Sequence, residues 1–229
     1  MALTDAEVAR YARQLLLPGL GAAAQELIRA AQVHVVGAGA VAGPALLYLA
    51  QAGVGTIYVD DGADVAAEDA GAWLYAPDQV GEPRLFAAME AVRGASEFVK
   101  VRAQATTGIH PTASLVCAPS GNVARIAAER ARLAGLPHVV ALADGDGGQV
   151  VSVPSGAPCY NCGSRPSGAA SPDGGAAATV GALAALELLL IVSGVLKGSG
   201  HGRRIDLVLG QPHMQPTARI PGCDCANAY

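Results

Sequence analysis

The sequence predicts an α/β fold: a Rossmann-like, mostly parallel sheet with helices on both faces and an antiparallel extension. Three observations carry that prediction. Residues 32–61 read as a short β-branched strand, a glycine-rich turn, an apolar helix and a second strand ending in acid. Beyond them, strand-length apolar runs alternate with helix-length runs, which is the rhythm of βαβ units. Near residue 147 a polar turn leads straight into GQVVSV with no helix before it, so this strand must run back against its predecessor.

Composition sets the outer limits. A chain of 229 residues, 52% hydrophobic and 15% charged, buries a sizeable core. We read it as one domain over residues 1–229 with an N-terminal helical arm over 1–31. A net charge of −4 and a pI near 5.7 leave no basic face for phosphate backbones, so no nucleic-acid partner is expected. The first residues, MALTDAEVARYARQ, are acidic and amphipathic where a secretory signal is basic and then apolar. The expectation is therefore a cytoplasmic protein whose cysteines are thiols or metal ligands. Residues 176–196 are long and apolar enough to cross a bilayer, but Glu187 sits near their middle. A buried core or interface helix is expected instead, and no membrane association.

The elements follow in order. Thr4-Asp5-Ala6-Glu7 has the capping-box pattern, so a helix begins there and runs to Pro18-Gly19 with Arg10 and Arg13 three apart on one face. A second short helix over 22–31 leads to the strand around Val33, Val35 and Val36. After Asp61 the sequence loses periodicity and reads as loop and broken turns at the carboxyl edge of the sheet, where open α/β folds bind ligands. Residues 84–93 read as helix, 98–102 and 114–117 as strands, 122–134 as helix, and 137–143 as strand. A Ser/Gly/Pro-rich loop over 164–175 precedes the long apolar helix. A strand at 204–209 and a tail containing Cys223 and Cys225 close the chain.

The chemistry-bearing motifs sit on this frame. Gly37-Ala38-Gly39-Ala40-Val41-Ala42 is a G-x-G-x-x-A turn opening a helix. Its glycines permit a tight bend and let phosphates approach backbone amides at the positive end of the helix. Asp60 and Asp61 lie about 20 residues further on, where a carboxylate meets ribose hydroxyls. The alternative is a purely structural strand-to-helix turn. Cys159-x-x-Cys162 and Cys223-x-Cys225 pair four thiols beside glycines, the grammar of a structural zinc knuckle; a redox dithiol and ordinary thiols are the alternatives. Cys117 reads as a small core residue. The five histidines read as packing or surface residues, His34 among them as a core or edge residue.

These stretches together resemble one family. RYARQLLLPGLG from Arg10, the VVGAGAVAG turn, AQAGVGTIYVDD, VGEPR, APCYNCGSR, GALAALELLL and PGCDC occur in the order found in ubiquitin-activating-enzyme-like (E1-like) adenylyltransferases of the molybdopterin- and thiamine-biosynthesis type. The resemblance implies a homodimer that binds ATP with Mg²⁺. It would activate the C-terminal carboxylate of a ubiquitin-fold sulfur carrier, or a small carboxylic acid, by adenylation. It also implies site residues: Gly37, Gly39 and Ala40 at the phosphates, Asp61 at the ribose, and Arg13 reaching a neighbouring subunit's triphosphate. Arg84 stands where the family usually has a lysine, and Cys159, Cys162, Cys223 and Cys225 stand at the zinc ligands.

Three parts of the family pattern are missing. The N-x-x-R-Q element after the ribose acid is replaced by a stretch beginning Asp69-Ala70, without its arginine. No carboxylate occurs in Ala118-Pro119-Ser120-Gly121, and no cysteine in the loop before the long helix. A non-catalytic E1-like scaffold subunit is therefore the alternative function, with an NAD-dependent oxidoreductase third.

Overall fold

A computed structural model of the 229-residue chain describes residues 2–70, 74–103, 110–166, 173–196, 201–208 and 210–227. Parts of the loop readings, including the stretch around Trp73 and residues 167–172 of the loop over 164–175, lie outside the described residues.

The chain opens with α1 (Asp5–Leu15), whose capping box forms as the sequence requires: the Glu7 amide donates to Thr4 Oγ1 at 3.3 Å and the Thr4 amide to Glu7 Oε2 at 2.8 Å. The Glu7 carboxylate also meets Arg29 at 3.1 Å, tying α1 to α2 (Gly21–Ala30). Then come β1 (Gln32–Val36), α3 (Ala42–Ala52), β2 (Thr56–Asp60), α4 (Arg84–Ala95), β3 (Lys100–Ala103), β4 (Ala113–Cys117), α5 (Gly121–Leu133) and β5 (His138–Asp144). The chain continues with β6 (Gly147–Val153), a four-residue turn of helix α6 (Tyr160–Gly163), α7 (Gly174–Val192), β7 (Arg203–Val208) and β8 (Gln211–Pro216).

One sheet of eight strands results, in the order β3-β2-β1-β4-β5-β6-β7-β8. The first five are parallel. The expected antiparallel extension is present and larger than the sequence suggested: β6, β7 and β8 each run against their neighbours. β8 is the element that sequence reading left as tail. It carries Pro212 and Pro216 and every residue of it is exposed, a composition tolerated only on a sheet edge.

Burial follows the pleat. Leu115 and Cys117 of β4 and Val139 and Ala141 of β5 join the core under α3, α4 and α7, whereas Val116, Val140 and Leu142 join the one under α5. Central parallel strands covered on both faces are apolar throughout, and β4 is buried at all of its positions. Helix α7 explains the apolar run around Glu187. It is long enough to cross a membrane by composition, yet it packs on β4, β5, β6 and α3. Arg203 Nε and Nη2 donate to the two Glu187 oxygens at 2.7 and 2.6 Å, and Ser152 Oγ adds a bond of 2.5 Å. Glycine brings α7 close to α3: a methyl on Gly181 would stand 2.2 Å from the Val41 carbonyl.

Candidate functional site

The order β2-β1-β4 makes β1 the point where the chain, having built outward to β3, returns to build the other side. A crevice opens there beyond the carboxyl ends of the strands. Gly37 turns out of β1 at this point. Its amide continues the ladder to the Asp60 carbonyl at 2.8 Å, and its φ of +92° lies in the left-handed region. A Cβ at Gly37 would come within 2.2 Å of the Cys117 carbonyl oxygen, so only glycine fits. Gly39 is different. A Cβ there would meet only Arg84 Nη1, at 3.7 Å, so nothing in the chain itself fills the space over it. Helix α3 begins just after, directing its free amides toward the same space.

Asp61 lies immediately past β2 and closes over this turn. Its Oδ2 accepts from the Ala38 amide at 2.6 Å and its Oδ1 from the Ala63 amide at 2.8 Å. Asp60 points elsewhere, meeting His34 of β1 at 3.4 Å, and burial keeps the His34 pKa below its usual value. Across the crevice, Tyr75 donates its hydroxyl to the Ala38 carbonyl at 2.6 Å. Burial first, and the Asp61 charge after it, push that phenol's pKa well up, so it stays protonated and remains a donor. Arg84, the first residue of α4, extends its side chain onto Asp69: Nε donates to Asp69 Oδ2 at 2.9 Å and Nη2 donates to the same oxygen. Burial works against the Arg84 charge, but the Asp69 carboxylate more than offsets it and raises the pKa. A shallow hollow of about 20 Å³ beside the turn is lined by Gly39, Ala40, Gly43, Glu68, Asp69 and Tyr75.

The four cysteines come together at the opposite edge of the sheet. Because β6 and β8 both run against β7, they end on the same side, and Val153 at the end of β6 pairs with His138 at the start of β5. Cys159 and Cys162 follow β6 and Cys223 and Cys225 follow β8, so the topology delivers both pairs to one place, across the sheet from the glycine turn. The sulfurs of Cys159 and Cys162 are 3.8 Å apart, and Cys159–Cys223 and Cys162–Cys225 are each 3.6 Å apart. Four thiolates at ~2.3 Å from a zinc ion stand about 3.8 Å from one another in a tetrahedron. The arrangement fits that ion. The Ile220 amide donates to Cys162 Sγ at 3.4 Å, an outer-shell contact of the kind that orients a ligand. Arg204 Nη1 binds the Gly163 carbonyl at 3.0 Å and fastens the knuckle to β7. Cys117 is separate from this cluster and buried at the end of β4, where desolvation pushes its pKa up to about 12.

The whole of this architecture matches one sequence family. A family model described as the ThiF family aligns with residues 11–225. The chain belongs to the ThiF family. A relative of this ThiF-family chain, the adenylyltransferase and sulfurtransferase uba4 of Aspergillus fumigatus, is 34% identical over 219 residues, which is 83% of this chain and 44% of the relative. The probable adenylyltransferase/sulfurtransferase MoeZ of Mycobacterium tuberculosis is 53% identical over 60 residues, 26% of this chain and 15% of MoeZ. The ThiF-family chain thus spans less than half the length of these curated relatives. Among solved structures, E. coli MccB superposes with a TM-score of 0.80 over 94% of this chain and 74% of MccB at 18% identity, which establishes a shared fold.

Within the ThiF-family fold, Arg13 is not brought to the turn. It lies in a groove of about 680 Å³ with Arg10, Tyr48, Gln51, Ala52 and Leu186, at the far end of α3. The length of α3, ~15 Å, separates that groove from Gly37. Two residues the sequence did not single out belong to the crevice, Asp69 and Tyr75. Both fall in an aperiodic loop with no spacing signal; the only hint was that Asp69 opens the stretch standing in place of the family's N-x-x-R-Q element.

Proposed function

We propose that this chain uses ATP to adenylate a carboxylate in the crevice beyond β1 and β4, releasing pyrophosphate. The observation that carries the reading is the turn itself. Gly37 is forced by the fold, while the space over Gly39 is left empty by it, under the α3 amides and beside Arg84. Attack of a carboxylate on the α-phosphate brings two anions together, and oriented amides with a guanidinium stabilise the charge that develops. Asp61 would receive the ribose, since each of its oxygens, already fixed by one amide, keeps a further acceptor site.

The described residues supply no cluster of carboxylates for magnesium: the one metal-ligating group among them is the cysteine set. Mg²⁺ would arrive bound to the nucleotide phosphates, keeping several waters. Cys159, Cys162, Cys223 and Cys225 would hold zinc, which would supply a structural cross-link between the ends of β6 and β8. Its position across the sheet gives it no part in the chemistry.

The relatives support this reading by name: uba4 is an adenylyltransferase and sulfurtransferase, and MccB has been crystallised with ATP and with AMPCPP and MccA. The carboxylate is that of a small carrier protein or peptide terminus or a pathway acid. The exposed groove holding Arg13, with Tyr48 and Leu186 half exposed, suits a second copy of the chain that would bring Arg13 to its partner's nucleotide. Cytoplasmic location accords with this use of ATP. The oxidoreductase alternative is not favoured by the family assignment. The test is exchange of labelled pyrophosphate into ATP with candidate carboxylates. Carboxylate-dependent exchange is expected; ATP bound with no exchange for any carrier or acid would reject adenylation and leave the scaffold reading.

A further inference from the structure

Arg84 is held by one edge only. Its Nε and Nη2 are both engaged by Asp69 Oδ2, and the remaining terminal nitrogen, Nη1, is the atom nearest the space above Gly39. Asp69 is itself fixed, because the same oxygen accepts from the Ala66 amide at 2.9 Å and the residue is buried. The opposite wall is fixed too, by Tyr75 on the Ala38 carbonyl. A guanidinium gripped in this way cannot rotate without breaking two bonds, and its remaining nitrogen stands 3.7 Å from where a Cβ on Gly39 would be.

We infer that Asp69 is a positioning residue of the nucleotide site: by clamping one edge of Arg84 it aims Nη1 at the phosphate held over Gly39. This rests on the proposed nucleotide-binding role of the turn and adds to it. It also accounts for arginine at position 84. A lysine carries its three donors on one freely rotating nitrogen, so an acid beside it fixes no direction, whereas a planar guanidinium can be clamped on one edge and donate from another. Asp69, in a loop that has lost the arginine of the family pattern, and Arg84, at the start of α4, act as a matched pair. The inference runs against simple Coulomb reasoning, in which deleting an acid beside a triphosphate tightens binding, and that opposition makes it testable.

The experiment measures calorimetric affinity for ATP, AMP and adenosine in wild type, Asp69→Asn, Arg84→Ala and the double variant, with melting temperatures alongside. Asp69→Asn is expected to weaken ATP by about ten- to hundred-fold, the worth of a hydrogen bond to a charged group. Adenosine, which lacks phosphate, is expected to bind unchanged. In the Arg84→Ala background the Asp69 substitution should have no further effect, since Asp69 acts only through Arg84. Tighter or unchanged ATP binding in Asp69→Asn, or an equal loss in the Arg84→Ala background, overturns the inference. Should Asp69→Asn fail to fold, Arg84→Lys carries the test: a loss selective for ATP over adenosine supports the inference and wild-type ATP affinity refutes it. Absence of ATP binding by the wild type would instead defeat the underlying functional proposal.

Discussion

Substituting alanine at Gly39 separates a ligand's space from the protein's own packing. The added methyl meets nothing closer than Arg84 Nη1 at 3.7 Å, an ordinary contact, and Gly39 is not among the glycines with positive φ. By contact alone the variant loses no stability, and restricting the unfolded chain adds about 0.4–1 kcal/mol in its favour. Nucleotide affinity behaves differently. The methyl stands where phosphate oxygens approach the turn amides, and losing one or two charge-assisted hydrogen bonds amounts to about 3 kcal/mol, near a hundred-fold in Kd. Gly37→Ala is the control, since its Cβ falls 2.2 Å from the Cys117 carbonyl at a φ of +92°. That variant should lose about 3 kcal/mol of stability or more, from left-handed strain plus displacement of β1 from β4. Urea denaturation and ATP calorimetry on both proteins read the two effects. A Gly39→Ala protein that binds ATP like wild type, or one that loses stability as Gly37→Ala does, would refute the argument.

Other outcomes follow from the same geometry. Purified protein should contain one zinc per chain by elemental analysis; chelation should lower the melting temperature while changing ATP affinity less than about three-fold, because the knuckle and the turn lie at opposite edges of the sheet. Glu187→Ala should cost about 3 kcal/mol in denaturant titration, the lower end for a broken buried pair, since Arg203 keeps partial solvent access. Gly181→Ala, with its methyl 2.2 Å from the Val41 carbonyl, should cost about 1–3 kcal/mol by forcing α7 off α3. It should also weaken ATP, because Val41 leads directly into the first turn of α3. Cys117, its pKa pushed to about 12, is ~10⁻⁴ thiolate at pH 8 and should resist alkylation until the protein unfolds; rapid native-state modification of Cys117, read by peptide mass mapping, would contradict its burial.

What the sequence revealed depended on the range of each signal. The turn at Gly37 and the strand and helix around it were legible because their requirements are local: a bend only glycine can make, a valine run, an apolar helix. The cysteine set was legible as two pairs. Their meeting depends on β6 and β8 running in the same direction, and β8 was invisible because its prolines and exposed polar residues suit an edge strand but give no alternation. Asp69 and Tyr75 were missed for a related reason. Their roles are defined by Arg84 and Ala38, reached across a loop without periodicity. Arg13 was legible as a basic residue on a helix face, but only the fold shows that α3 holds it away from the turn of its own chain.

Whether the turn between β1 and α3 receives the phosphates of ATP is decided by calorimetric titration of ATP with Mg²⁺ into folded, zinc-replete protein. Saturable binding at one site per chain, weakened by Gly39→Ala and by Asp61→Ala, is the predicted result; no detectable uptake of ATP, or uptake indifferent to both substitutions, would contradict it.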